Sequence, residues 1–192
     1  SILKLKQRLD GIQWGNEHTA IATDSWYDTR NTKTYLFDPS DATKQASIIF
    51  DRNEQDVYHD PGNFEMKKNE LGQNVLAIDN GQLFLTGQGL SEKGEFPFVK
   101  SFNIRSHEQK TLYQSTYKDK KESILSIEDV KKGDVLVRIE SPTEFPNYYF
   151  RNIKSSNRLT QLTYFKNPFT SIEGISKELI HYKRADGLDL SG

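Results

Sequence analysis

Apolar and polar residues alternate along this chain in stretches of about five to eight residues separated by polar turns, the spacing of short strands. Asp134 to Glu140 shows the rule best: Val135, Val137 and Ile139 fall on one face, and Asp134, Arg138 and Glu140 on the other. A period of two predicts a half-buried β-strand. Turn signals lie between the stretches, at Asp79-Asn80-Gly81 before Gln82 to Thr86, at Lys132-Gly133-Asp134, and at Asp38-Pro39-Ser40-Asp41 after Thr34 to Phe37. These residue types fit tight turns. Helical periodicity is nearly absent. Ser123 to Lys131, with Ile124, Leu125, Ile127 and Val130, comes nearest to an apolar helical stripe, and a strand over Glu122 to Ile127 fits the same residues.

The pattern also repeats. Three stretches share one plan, an aromatic-rich strand, a polar turn and a second amphipathic strand: Tyr35-Leu36-Phe37 leading to Ser47-Ile48-Ile49-Phe50, Phe102-Asn103-Ile104 leading to Thr111-Leu112-Tyr113, and Tyr149 to Ile153 leading to Leu159 to Leu162. Phe50, Tyr113 and Leu162 mark intervals of 63 and 49 residues. The second approaches the ~40–50 residues of a four-stranded propeller blade, and the first implies an insertion, placed at Gly87 to Gly94. The chain therefore reads as all-β, a partial β-propeller of about three four-stranded antiparallel blades, fewer than the ~4–8 that close a ring.

Composition agrees. Only 34% of the 192 residues are hydrophobic, as expected of many half-exposed strands. Leu, Ile, Val and Phe still make up a quarter of the chain, above the ~20% below which chains stay disordered. Lys plus Arg (26) nearly balances Asp plus Glu (27). The weak net field gives no footprint for nucleic acid or an anionic membrane. Without cysteine there is no disulfide framework, thiolate metal site or cysteine nucleophile. The apolar runs fall far short of the ~18 residues that span a bilayer. The chain starts at Ser1 and stops at Leu190-Ser191-Gly192 inside a strand-like pattern, so the expectation is a segment of a longer protein.

Most candidate motifs fail. Gly87-Gln88-Gly89-Leu90-Ser91-Glu92-Lys93-Gly94 is followed by Glu95 and Phe96, where a phosphate loop needs Lys and then Ser or Thr. A nucleophile elbow needs glycine two residues after its serine, and Lys93 stands there; the stretch reads as a surface loop. Gly174-Ile175-Ser176-Lys177-Glu178 fails likewise at Glu178. His18, His59, His107 and His181 have no second histidine at ligand spacing, so no metal or other cofactor is expected. Asp56 with Asp60, and Glu128 with Asp129, read as solvated turn residues, and Lys118 to Glu122 as an exposed charged turn. No Ser, His and Asp constellation emerges from spacing.

Ser25-Trp26-Tyr27-Asp28-Thr29-Arg30-Asn31-Thr32-Lys33-Thr34 differs in kind. Two adjacent large aromatics and an arginine in a strand-to-strand turn suit either a binding surface or packing between blades, with Arg30 paired to a nearby carboxylate.

The run Ser25-Trp26-Tyr27, Thr29-Arg30, Thr32 and Thr34, followed by Phe50-Asp51-Arg52, Asp56-Val57-Tyr58 and Asp60-Pro61-Gly62, resembles the propeller of glutamyl endopeptidase-like members of the prolyl oligopeptidase family. Gly87-Gln88-Gly89, Gly94, Pro97-Phe98 and the strand Phe102 to Ile104 look like the same family's loop and following strand. Leu159 to Leu162, Pro168, Lys177-Glu178, Tyr182, Arg184 and Asp186-Gly187 look like its last blade and the return of the chain to the catalytic domain. The resemblance runs from about Gly11 to Gly192, carried by the order and spacing of these motifs.

It implies an incomplete propeller over 1–170, and over 171–192 a linker and first strand leading into an α/β-hydrolase domain that holds the family's Ser, Asp and His triad. No catalytic residue falls in this chain. The implied role is to restrict a serine peptidase's active site to peptides or unfolded segments, whether the parent acts as an aminopeptidase or a glutamyl endopeptidase. Selection of glutamate needs a cation, so Arg30 and Arg52 become candidate substrate-binding residues, as arginine grips carboxylates bidentately; Trp26 and Tyr27 join them. Expected partners are peptide substrates, the hydrolase domain and, for a cut propeller, further copies of itself, with neither nucleic acid nor membrane. The resemblance suggests export in bacteria, though no leader supports it here. The alternative reading is a propeller used only to bind a protein or ligand. A closed β-sandwich of a carbohydrate-binding sort leaves the repetition unexplained.

Overall fold

The computed structural model describes residues 2–172, 175 and 177–192. Its strands form three four-stranded antiparallel sheets, in chain order. The first sheet is β1 (Arg8–Asn16), β2 (Thr19–Trp26), β3 (Asn31–Phe37) and β4 (Ser47–Asn53). The second begins with β5 (Asn63–Phe64), continues after the hairpin of β6 (Met66–Lys68) and β7 (Asn74–Leu76) with β8 (Gln82–Gly87), and after the hairpin of β9 (Leu90–Ser91) and β10 (Gly94–Glu95) ends with β11 (Phe98–Asn103) and β12 (Gln109–Gln114). The third is β13 (Lys121–Asp129), β14 (Asp134–Glu140), β15 (Asn147–Asn152) and β16 (Arg158–Gln161). A 3₁₀ turn at Thr170–Ile172 precedes an exposed hairpin of β17 (His181–Lys183) and β18 (Asp189–Ser191). Among the described residues there is no α-helix, as the all-β reading expects.

The sheets stack through their faces. Ile21 and Leu36 of the first sheet meet Leu83, Leu85 and Phe102 of the second, with Leu76 of β7 beside them. Val99 and Tyr113, on the second sheet's other side, meet Val135, Val137 and Ile139 of the third. Alternation explains both seams. Along β14 burial alternates residue by residue, with Val135, Val137 and Ile139 inside, so one strand supplies a continuous apolar row. Each such side chain gains about 1.5–3 kcal/mol from leaving water. The first sheet's outer face carries Ala20, Ala22 and Phe37, covered by Leu3 and Leu5 of the N-terminal stretch.

The repeating segments are the third and fourth strands of each sheet: β3 and β4, β11 and β12, β15 and β16. The extra length in the second sheet comes from two hairpins, β6–β7 as well as the expected β9–β10 region. Lys121–Asp129 is a strand and not a helical stripe, because pairing with β14 satisfies its backbone in register, Glu122 opposite Ile139 and Ile124 opposite Val137. At Asp79-Asn80-Gly81 the two central residues have φ of 48° and 69°, the left-handed pair a type I′ hairpin turn requires.

The rejected loop motif also finds its explanation. A Cβ on Gly87 would lie 2.4 Å from Phe98 Cζ, and one on Gly89, whose φ is +59°, would lie 2.0 Å from the Phe96 carbonyl oxygen. Phe96 N–H donates back to the Gly89 carbonyl at 3.0 Å. The glycines let a hairpin fold flat against β11; Gly87 and Gly89 are packed positions and not free surface loop. Gly174 and Ser176 of the second rejected motif lie outside the described residues.

Candidate functional site

Strand register brings the candidate residues to one end of the stack. Trp26 pairs with Asn31, and Asn31 with Asn53, so the β2–β3 turn and the start of the 54–62 connection are neighbours. That connection runs to β5, whose Asn63 pairs with Thr86 near the end of β8. The same end therefore also carries the β9–β10 hairpin.

Within the β2–β3 turn Arg30 adopts φ of 55°, a left-handed conformation uncommon for a residue with a side chain. Its guanidinium carbon lies 3.8 Å from the Tyr27 ring centroid, and its Nη1 lies 3.6 Å from Glu54 Oε1. Glu54 N–H donates to the Arg30 carbonyl at 2.8 Å, fixing the turn to the following connection. Trp26 and Tyr27 are 49% and 74% exposed, and with Arg8, Asp10 and Asp28 they line an open cleft of about 600 Å³. Both rings face solvent in this structure.

Arg52 stands opposite Thr32 near the end of β4. Its Nη2 lies 3.3 Å from Asp60 Oδ2, and its Nη1 donates to the carbonyl oxygens of Asn53 and Asp56. It forms part of a second cleft, of about 680 Å³, between the first and second sheets. Both candidate arginines thus have a carboxylate neighbour, with which a substrate carboxylate would compete. Asp56 and Asp60 belong to this connection too. Asp56 receives His59 Nδ1 at 2.9 Å, a hydrogen bond that holds its carboxyl below the usual range.

A third cleft, of about 460 Å³, opens between the second and third sheets and is lined by Gly62, Gly87, Gly89 and Glu122. Behind it lies a network that spacing did not reveal. Glu122, 3% exposed, accepts from Tyr113 Oη at 2.6 Å and from Arg151 Nε at 2.8 Å. Arg151 also donates to the Asn157 carbonyl and to Tyr117 Oη. Burial, then the bond to Glu122, pushes the Tyr113 phenol well up. The mixed run Lys118 to Glu122, read as an exposed turn, thus ends in a desolvated carboxylate. The available signal was the single position where the run enters strand period.

Ser40, His18 and Asp38 do converge, but as a turn cap. Ser40 donates its hydroxyl proton to Asp38 Oδ1 at 2.7 Å, and His18 Nδ1 lies 2.9 Å from the same hydroxyl. Asp38 is held below the ordinary carboxylate range by Lys44 and then by Ser40. The single hydroxyl proton goes to a carboxylate whose basicity Lys44 lowers, and not to His18, so the serine-to-histidine bond of a triad is not formed here. Among the described residues no three His, Asp or Glu side chains gather as a metal site.

No family model matches the chain. Over 98% of its length it is 31% identical to a probable chloroplastic glutamyl endopeptidase of Oryza sativa subsp. japonica. It is also 31% identical, again over 98% of its length, to the protein of the same name from Arabidopsis thaliana. The chain spans about a fifth (21%) of the length of each. Nearly the whole chain is therefore similar to one stretch of two proteins named as peptidases.

Proposed function

We propose that the chain forms three successive blades of a β-propeller in a serine peptidase of the prolyl oligopeptidase type, with residues 1–170 as the incomplete propeller and 171–192 as the link to an α/β-hydrolase domain. The observation that carries this reading is the serial stacking of three four-stranded meanders, each meeting the next through an apolar face, as blades do around an axis. The similarity to glutamyl endopeptidases over 98% of the chain supports the peptidase half.

On this reading the chain performs no bond cleavage. A serine in the hydrolase domain attacks the peptide carbonyl, a histidine moves the proton, and backbone amides hold the oxyanion. The blades act sterically, admitting an extended chain and excluding a folded one. The end bearing Trp26, Tyr27, Arg30 and Arg52 faces the substrate, the exposed rings giving contact area and the arginines charge.

The test uses the full-length protein, a short glutamate-containing peptide and a folded protein with exposed glutamates. The expected result is hydrolysis of the peptide, blocked by a serine-directed inhibitor, with the folded protein spared. Equal cleavage of both would overturn the gating role, and binding without hydrolysis would leave a propeller that only binds.

A further inference from the structure

Two stretches that spacing alone leaves as surface, Gly87 to Gly94 and Lys118 to Glu122, meet in the fold. The β9–β10 hairpin and the connection from β12 to β13 form an open cleft of about 540 Å³, lined by Lys93, Lys118, Lys120 and Lys121, with Glu95 as the one carboxylate among the described lining residues. The Lys121 ammonium lies 3.2 Å from Glu95 and ties the hairpin to the start of β13. Lys120 donates to both oxygens of Glu144 at 2.6 and 2.8 Å, tying the connection to the turn after β14. Lys93 and Lys118 have no carboxylate partner among the described residues. Their sequence neighbours Glu92 and Asp119 do not line the cleft, and the field of Asp119 acts on Lys120, where Glu144 outweighs it.

The cleft therefore carries two positive charges beyond its own ion pairs, in a chain whose charges nearly balance overall. Its lining adds a neutral donor. Tyr117 Oη accepts from Arg151 Nη2 at 3.3 Å, and the hydroxyl's own proton has no acceptor among the described residues. Accepting from a guanidinium makes that hydroxyl a better donor, because chained hydrogen bonds polarise one another. Phe96 and Tyr117 are half-buried and give the cleft two aromatic walls.

We propose that this cleft binds a dianionic phosphoryl group, with Lys93 and Lys118 supplying the charge, Tyr117 a hydroxyl donor, and the Phe96 and Tyr117 rings a seat for an organic substituent. A carboxylate brings one charge and two oxygens. A phosphate monoester brings nearly two charges and three strong acceptor oxygens at neutral pH, which matches two free ammoniums and one hydroxyl. Lysine serves phosphate as a point charge, without the planar fork of arginine. A group bound there joins the β9–β10 hairpin to the connection entering β13, and so braces the neighbouring cleft of about 460 Å³, which Glu95 and Lys121 also line. The inference goes beyond the peptidase reading and stands without it, since it involves no bond cleavage and no peptide side chain.

The test titrates three small probes into the full-length protein at low salt: phenyl phosphate, phenyl sulfate, which has the same shape and about one charge fewer, and inorganic phosphate. Phenyl phosphate should bind about fourfold more tightly than phenyl sulfate, the scale of one exposed ion pair. Lys93→Gln and Lys118→Gln should each cut that preference to about twofold, and the double variant should abolish it. Lys68→Gln, exposed on β6, should leave it unchanged. Phenyl phosphate should also slow amide exchange in the β9–β10 hairpin and not in the β6–β7 hairpin. Tighter binding of phenyl phosphate than of inorganic phosphate identifies an organic monoester as the ligand, and equal binding identifies free phosphate. Equal affinity of the wild type for phenyl phosphate and phenyl sulfate, or a preference that survives the double variant, would overturn the inference.

Discussion

Between the first and second sheets the core meets ring to ring, whereas between the second and third an arginine and a glutamate lie inside it. Phe102 sits 5.9 Å from Phe50 and 6.3 Å from Phe64, both edge-on. In the other seam Arg151 and Glu122 are 5% and 3% exposed and pair at 2.8 Å, among the valines of β11 and β14. Rings stabilise by area and add about 0.5–1.5 kcal/mol per well-placed pair, with little demand on register. A buried ion pair recovers its desolvation cost only with near-ideal geometry. What it contributes is selectivity: sliding β13 by one residue would turn Glu122 to the other face and leave Arg151 unpaired. The ring seam holds the stack together, and the charged seam fixes how the third sheet joins it.

The largest expected effect breaks the ring seam. Phe102→Ala should cost about 3–5 kcal/mol, the transfer and cavity terms of a fully buried phenylalanine, seen as a lower urea midpoint at unchanged slope. A loss under about 1 kcal/mol would mean that this seam is held elsewhere. The charged seam should answer differently to single and paired changes. Glu122→Leu alone leaves a buried guanidinium uncompensated and should cost about 3 kcal/mol, while Glu122→Leu with Arg151→Met should recover most of it. Additive losses in the double variant would show that the pair stabilises in its own right.

The two seams were unequally legible in the sequence. The alternation of Val135, Val137 and Ile139 and the aromatic-rich stretches ahead of β4, β12 and β16 exposed the strands and their threefold repetition, because burial on one face imposes period two. The β6–β7 hairpin was not visible, since strands of three residues are too short to show a period. Glu122 was hidden for another reason: its partner Arg151 is 29 positions away, joined through sheet order and not spacing. At the candidate site, Trp26, Tyr27 and Arg30 were recognised as an unusual turn. The carboxylates that occupy Arg30 and Arg52 come from the 54–62 connection, whose path only the fold supplies.

Alkaline pH gives a smaller effect that separates the seams again. The Tyr113 phenol, in the charged seam, is raised by burial and then by its bond to Glu122; Phe102, Phe50 and Phe64 of the ring seam have nothing to titrate. A phenol whose pKa is raised on folding contributes stability that is complete below its unfolded value of about 10 and is lost as pH climbs above it. Tyr35, bonded to Asp24 at 3.0 Å on the first sheet's outer face and pushed up to about 12, chiefly by burial, behaves alike. Relative to the intrinsic, hydroxide-catalysed rate, amide protection in β14 should therefore fall above pH ~10 while that of β8 holds, and Tyr113→Phe should remove most of that difference. Equal loss of protection in both strands would place the alkaline weakness outside the charged seam.

The smallest expected effect compares two arginines that each have a glutamate partner. Arg151 is buried and bonded at 2.8 Å, whereas the Arg30 side chain is 33% exposed, its glutamate partner 47%, and their separation is 3.6 Å. An ion pair so open to water is worth about 0–1 kcal/mol. Arg30→Ala should therefore lower the unfolding free energy from urea titration by less than about 1 kcal/mol, part of it from the lost contact with the Tyr27 ring. Arg52→Ala, with its partner Asp60 about half exposed, should do much the same. If Arg30 serves the substrate, its loss should instead appear as reduced preference of the full-length protein for glutamate over glutamine peptides. A stability loss rivalling that of Glu122→Leu would make the β2–β3 turn a structural clamp, and unchanged preference would remove Arg30 from the substrate surface.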